Sequence, residues 1–108
     1  MPAPVVPTTT EISVTSTTTI EIAAAGGSDV KNRLHSCVIT AEGEWDIQWR
    51  SDSTDIGGAH NLTDGGSYLL EPPAATGIKT SANEALNLVA TLISGSGTLS
   101  GHASYVAK

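Results

Sequence analysis

Few residues in this 108-residue chain have the type and spacing that chemistry requires. His35, His60 and His102 are its only histidines, and none belongs to an HxH or HExxH pattern. Cys37 is its only cysteine and has no CxxC partner. His35 and Cys37 stand two residues apart on one extended segment, which is half of a metal site; structural zinc needs four ligands, so packed strand residues are the expected reading. Asp52, Asp55 and Asp64 flank a Gly-rich loop, yet DSTDIGG lacks the spacing of a calcium loop, which must gather six to eight oxygens. Glu44 and Asp46 share one strand face and suggest an acid–base pair, but that face is polar throughout, so a solvated surface is expected. A Ser, His and Asp trio could be chosen from the many serines, but no GxSxG elbow supports it. Neither a Walker loop nor a GxGxxG turn is present. No enzyme activity, metal or cofactor is expected.

The segments that carry these residues read as short strands. Residues 43–50 alternate strictly: Trp45, Ile47 and Trp49 point one way, and Glu44, Asp46, Gln48 and Arg50 the other, the pattern of an antiparallel strand with one wet face. In residues 18–24, Ile20, Ile22 and Ala24 share a face. Residues 33–41 are apolar on both faces, with Leu34 and Val38 on one and Cys37 and Ile39 on the other, which predicts a central strand covered on both sides. Residues 51–58 read as turn and loop, 59–62 as a short extended piece, and 63–66 as a Gly-rich turn. Short strands follow at 67–70 and 78–80. Residues 85–93 place Leu86, Leu88 and Leu92 on one face; helix competes there on propensity, but the alternation favours strand. Ser94-Gly95-Ser96-Gly97 reads as a hairpin connection, and 99–106, with Leu99, Ala103 and Tyr105 on one face, closes the sheet. Short strands separated by turn signals about every ten residues predict an all-β antiparallel sandwich of about eight strands.

Composition narrows the function. Eleven acidic and five basic residues give a net charge of −6, with no basic stripe beyond Lys31 and Arg33, so nucleic acid is not an expected partner. No run reaches the ~20 apolar residues of a membrane span. The N-terminus lacks the charged and apolar regions of a signal peptide. A single cysteine forms no intrachain disulfide and suits a reducing cytoplasm. There is no Phe, and the aromatic residues that remain are Trp45, Trp49, Tyr68 and Tyr105. One domain of this size with so little aromatic material gains from burial between subunits, so a homo-oligomer is expected. The Thr runs at 8–10 and 15–19 suit half-exposed strand faces and have no regular array spacing.

The most recognisable text is GGSYLLEPPAATGIKTSANEALNL, residues 65–88. It reads as Gly-Gly turn, short strand, proline stop at Pro72-Pro73, a second extended piece, and Glu84-Ala85-Leu86-Asn87-Leu88. This succession resembles the small all-β structural proteins of tailed bacteriophages, the capsid decoration or cement family and related tail modules. The five residues 84–88 match that family's last element directly, whereas Asn83 stands where Gly is usual and Gly77-Ile78 where Gly precedes an aromatic residue. The resemblance spans residues 45–106. It implies a jelly-roll-like sandwich, a homotrimer, the major capsid protein as partner, and a place on the outer capsid surface of the virion after synthesis in the host cytoplasm. The implied function is to bind and stabilise the head; a tail-fibre or baseplate module for host attachment is the alternative. A carbohydrate-binding module is a third reading.

Two elements are expected to contact partners. Residues 1–10, with Pro2, Pro4, Val5, Val6 and Pro7, read as an extended arm of polyproline character before a β-domain at 11–108: either a frayed end, or a tether that orders along a neighbouring subunit or the shell. Trp45 and Trp49 are expected in the core or a subunit interface; solvent-exposed rings would instead make a sugar-stacking platform.

Overall fold

The computed structural model of the chain describes residues 7–70 and 78–107. Among them are nine strands and no helix: β1 (Thr8–Val14), β2 (Thr18–Ala23), β3 (Asn32–Ala41), β4 (Glu44–Ser51), β5 (Thr54–Asp55), β6 (His60–Leu62), β7 (Ser67–Leu70), β8 (Leu86–Ser94) and β9 (Leu99–Ala107). All pairings are antiparallel. Sheet A has the order β1-β9-β3-β7; sheet B has the order β2-β8-β4-β5, with β6 also paired to β4. Taking β5 and β6 as one interrupted strand, first pairs with last, second with second-last, and so inward. That is a single antiparallel ribbon wound into a two-sheet, jelly-roll-like sandwich, the architecture the sequence predicts.

The inner faces meet as alternation requires. Ile12, Leu34, Cys37, Ile39, Leu99 and Ala103 of sheet A pack against Trp45, Ile47, Trp49, Leu86, Leu88 and Ala90 of sheet B, all buried. β4 follows its pattern residue by residue, and residues 86–94 are strand rather than helix.

Several expectations need correction. β3 is central, but it is covered on one side only. A bulge between Leu34 and Ser36 shifts its register by one residue, so Leu34, Cys37, Ile39 and Ala41 all face inward while Val38 is 38% exposed. A second bulge between Glu21 and Ala23 puts Ile22 and Ala23 inside and leaves Ala24 exposed. The link after Ser94 is not a hairpin: β8 lies in sheet B and β9 in sheet A, where β9 is central. The loop at 51–58 contains β5, joined to β4 by a two-residue turn with Asp52 at φ 50°. Residues 78–80 form one bridge, Arg33 to Lys79, flanked by hydrogen bonds from Leu34 N to Ile78 O (2.9 Å) and from Thr80 N to Asn32 O (2.9 Å). Finally, Thr8–Thr10 belong to the sheet, paired with Tyr105, Ser104 and Ala103, so the domain begins at β1 rather than at residue 11.

Residues 81–88 lock one end of the sandwich. The Glu84 carboxylate accepts from Ser51 Oγ, which itself accepts from Ser81 N at 3.0 Å. Ala85 N donates to Asp52 Oδ1 (2.8 Å), and Asn87 Nδ2 to Asp52 O (3.1 Å). Leu86 and Leu88 are fully buried. Buried Asn32 joins the same end, its Nδ2 donating to Ala24 O (2.9 Å) and Glu84 O (3.1 Å). Glu84 to Leu88 therefore join the β4–β5 turn to the core, which is an architectural role.

Candidate functional site

Pro2, Pro4, Val5 and Val6 lie outside the described residues, and Pro7 stands half-buried just before β1. Trp45 and Trp49 are 0% and 1% exposed. Both point into the core from the inner face of β4, so neither offers the exposed ring face that a sugar platform needs. Trp45 Nε1 donates to Glu42 O at 2.9 Å. Trp49 Nε1 has no hydrogen bond of good geometry.

The candidate chemical residues are dispersed. Cys37 is buried, and burial pushes its thiol up to about 11, opposed by a weaker hydrogen bond from the Leu70 backbone. His35 is half-buried at the β3 bulge. Asp52 is engaged with Ala85, Asp55 with Arg50 (2.7 Å), and Asp64 Oδ1 accepts from Gly43 N (2.8 Å). Glu44 and Asp46 are bridged by Asn61, whose Nδ2 lies 2.9 Å from Glu44 Oε2 and 2.8 Å from Asp46 Oδ1. Among the described residues no three His, Cys, Asp or Glu side chains gather as a metal site would need.

Two surfaces stand out instead. The first is the outer face of sheet A. Registers place Glu11, His102, Val38 and Leu69 in one row across β1, β9, β3 and β7, and Ser13, Ser100, Thr40 and Ser67 in the next. Leu69 is 55% exposed and adjoins exposed Val38. The hydroxyl groups pair loosely, as Thr9 with Ser104 (2.9 Å) and Thr40 with Ser100 (3.3 Å). Neither the Glu11 nor the His102 side chain has a partner among the described residues. A shallow depression of about 660 Å³ opens over β1 and β9 between them. Gly101 makes this surface possible: its φ is +145°, and a Cβ there would sit 1.9 Å from Val38 O, so β9 and β3 can approach only without a side chain.

The second surface is a cleft of about 360 Å³ at the opposite edge, between β7 and the β4–β6 side of sheet B. Trp49 lines it, with Ile56 and His60 on one wall and Tyr68, Leu70 and Ile78 on the other. The His60 and Tyr68 rings lie 4.9 Å apart, tilted by 51°. Burial pushes the Tyr68 phenol up, although the nearby Trp49 N–H favours its ionised form and Cys37 opposes it. Sequence reading missed this cleft, because its walls come from five separate segments whose meeting depends on the winding of the ribbon. The one available signal was a Tyr and a Leu in the short strand at 67–70.

No protein-family model, no curated protein and no solved structure matches this chain.

Proposed function

We propose that this protein is a structural component of a bacteriophage virion, a capsid decoration protein that lays the outer face of sheet A against the shell. The observation that carries this reading is the row Glu11–His102–Val38–Leu69. It combines exposed apolar side chains with polar groups that have no partner within the described chain, on a broad, hydroxyl-rich surface. Such a face suits an extended protein partner better than a small substrate, since interfaces combine an apolar centre with a polar rim. The resemblance in residues 65–88 is the second support for this reading; in the fold, its residues Glu84, Leu86, Asn87 and Leu88 tie the β4–β5 turn to the core.

In this reading each copy spans neighbouring capsid proteins. A ligand that binds only the assembled shell stabilises it by linkage, and a homo-oligomer, a trimer on the family pattern, multiplies the contact through avidity. Immunogold labelling of intact tailed particles tests the proposal. Label distributed over the head is the expected result; label confined to the tail, or absent from particles, overturns it.

A further inference from the structure

The cleft beside Tyr68 has the chemistry of a site for a proline-containing extended peptide. Its lining is aromatic and aliphatic, with Trp49, His60 and Tyr68 beside Ile56, Leu70 and Ile78, and contains no carboxylate among the described residues. Its volume falls in the ~300–1,000 Å³ range of small binding clefts. The Tyr68 hydroxyl donates to no acceptor among the described residues, so its hydrogen is free to meet a carbonyl arriving from outside, and the buried Trp49 N–H in the same lining is likewise without a hydrogen-bond partner. Polyproline segments offer what such a cleft accepts: apolar rings and backbone carbonyls with no internal hydrogen bonds.

This chain carries one such segment. Pro4-Val5-Val6-Pro7 is uncharged and has proline at both ends of a four-residue span. We infer that this segment of one copy docks in the cleft of a second copy.

Distance decides between a second copy and the same chain. Thr8 lies on β1, the edge of sheet A opposite β7. It is level with the cleft, since Thr8 pairs with Tyr105, Tyr105 with Leu34, and Leu34 N donates to Ile78 O. Crossing from β1 to β7 covers three strand spacings, ~14 Å. At ~3.3–3.6 Å per residue that consumes about four residues. Those four are Pro7 back to Pro4, so a chain that reached its own cleft would have none of the motif left to place in it. The inference is independent of the capsid reading and holds for any oligomer of this protein.

Paramagnetic labelling tests it on the full-length chain. Ala3→Cys provides a spin-label site beside the motif, and native Cys37 is buried. Spin-labelled, unenriched chains are mixed in urea with ¹⁵N-labelled native chains and refolded together. The expected result is loss of the Trp49 indole N–H signal, identified with a Trp49→Phe variant, and its recovery on reducing the label. Introducing Pro4→Gly with Pro7→Gly in the spin-labelled chain should also restore it. Broadening only when label and isotope share one chain would assign the arm to its own cleft and overturn the proposal. An unperturbed Trp49 signal in both samples, from refolded protein with native dispersion, would overturn it as well.

Discussion

The two sheets present similar apolar surfaces to each other and very different ones to solvent. On sheet B the outer row is Glu21, Asn87, Arg50 and Asp55, in which Arg50 pairs with Asp55 and Asn87 donates to Asp52 O, while Glu21 has no partner among the described residues. Arg50 holds Asp55, Asn61 bridges Glu44 and Asp46, and Gln48 Nε2 donates to Gly57 O at 3.1 Å. On sheet A the corresponding row ends in exposed Val38 and Leu69, and Glu11 and His102 are free within the described chain. Core formation explains the inner faces of both sheets and neither outer face. The outer faces are where a sandwich can vary without losing its fold, and on the proposed reading the adjoining Val38 and Leu69 make sheet A the side that meets a partner.

The largest expected effect lies in the shared interior. Trp45→Ala should cost ~3–5 kcal/mol through cavity formation, a large part of the ~5–15 kcal/mol of a typical domain, read as a fall in the urea midpoint. A loss below ~1 kcal/mol would mean that the inner faces are not the common foundation this comparison assumes.

Cys37 gives the next effect. Its thiol titrates near 11 when folded, against 9.0 for an unperturbed group. The folded state therefore resists losing that proton, so the stabilisation is fully present below pH 9.0 and is lost as pH rises toward about 11. The loss is on the order of 2 kcal/mol. Denaturant titrations from neutral to alkaline pH should show the decline, and Cys37→Ala should flatten it. A parallel decline in the variant would move the cause elsewhere, Tyr68 being the next group with a raised value.

Paired outer-face substitutions sharpen the contrast itself. Val38→Lys with Leu69→Lys should weaken shell binding by tenfold or more, on the order of 1.4 kcal/mol, as loss of an apolar centre does, with stability changed by less than about 0.5 kcal/mol. Thr19→Lys with Gln48→Lys on sheet B should leave binding intact. Equal losses from both pairs in a capsid co-sedimentation assay would erase the distinction between the faces. The smallest effect is Arg50→Ala, which removes an ion pair whose side chains are 38% and 58% exposed. It should cost ~0.2–1 kcal/mol, less in high salt.

What the sequence made legible was local. β4 could be read residue by residue because alternation and burial coincide there, and the short strands around it followed from turn signals. β3 was misread because one inserted residue at the Leu34–Ser36 bulge inverts facing, and periodicity carries no mark of it. Ser94 to Gly97 announced a reversal, but turn composition does not say whether the chain returns to the same sheet or crosses to the other. Thr8–Thr10 looked like the end of an arm because their partner strand lies some ninety residues away. Both candidate surfaces share that difficulty. The row on sheet A takes one residue from each of four strands, and the cleft at Tyr68 draws on loops distant in sequence.

The pairing of β1 with β9 also governs when the molecule can come into being. β1 waits for a strand made much later: Thr8 finds Tyr105 only after β2 to β8 have been synthesised. Distant partners of this kind slow closure, and all-β domains rich in them fold in about milliseconds to seconds. A newborn chain thus holds its first edge open until β9 has emerged, and a chain cut before Leu99 would leave the entire strand β1 without its mate.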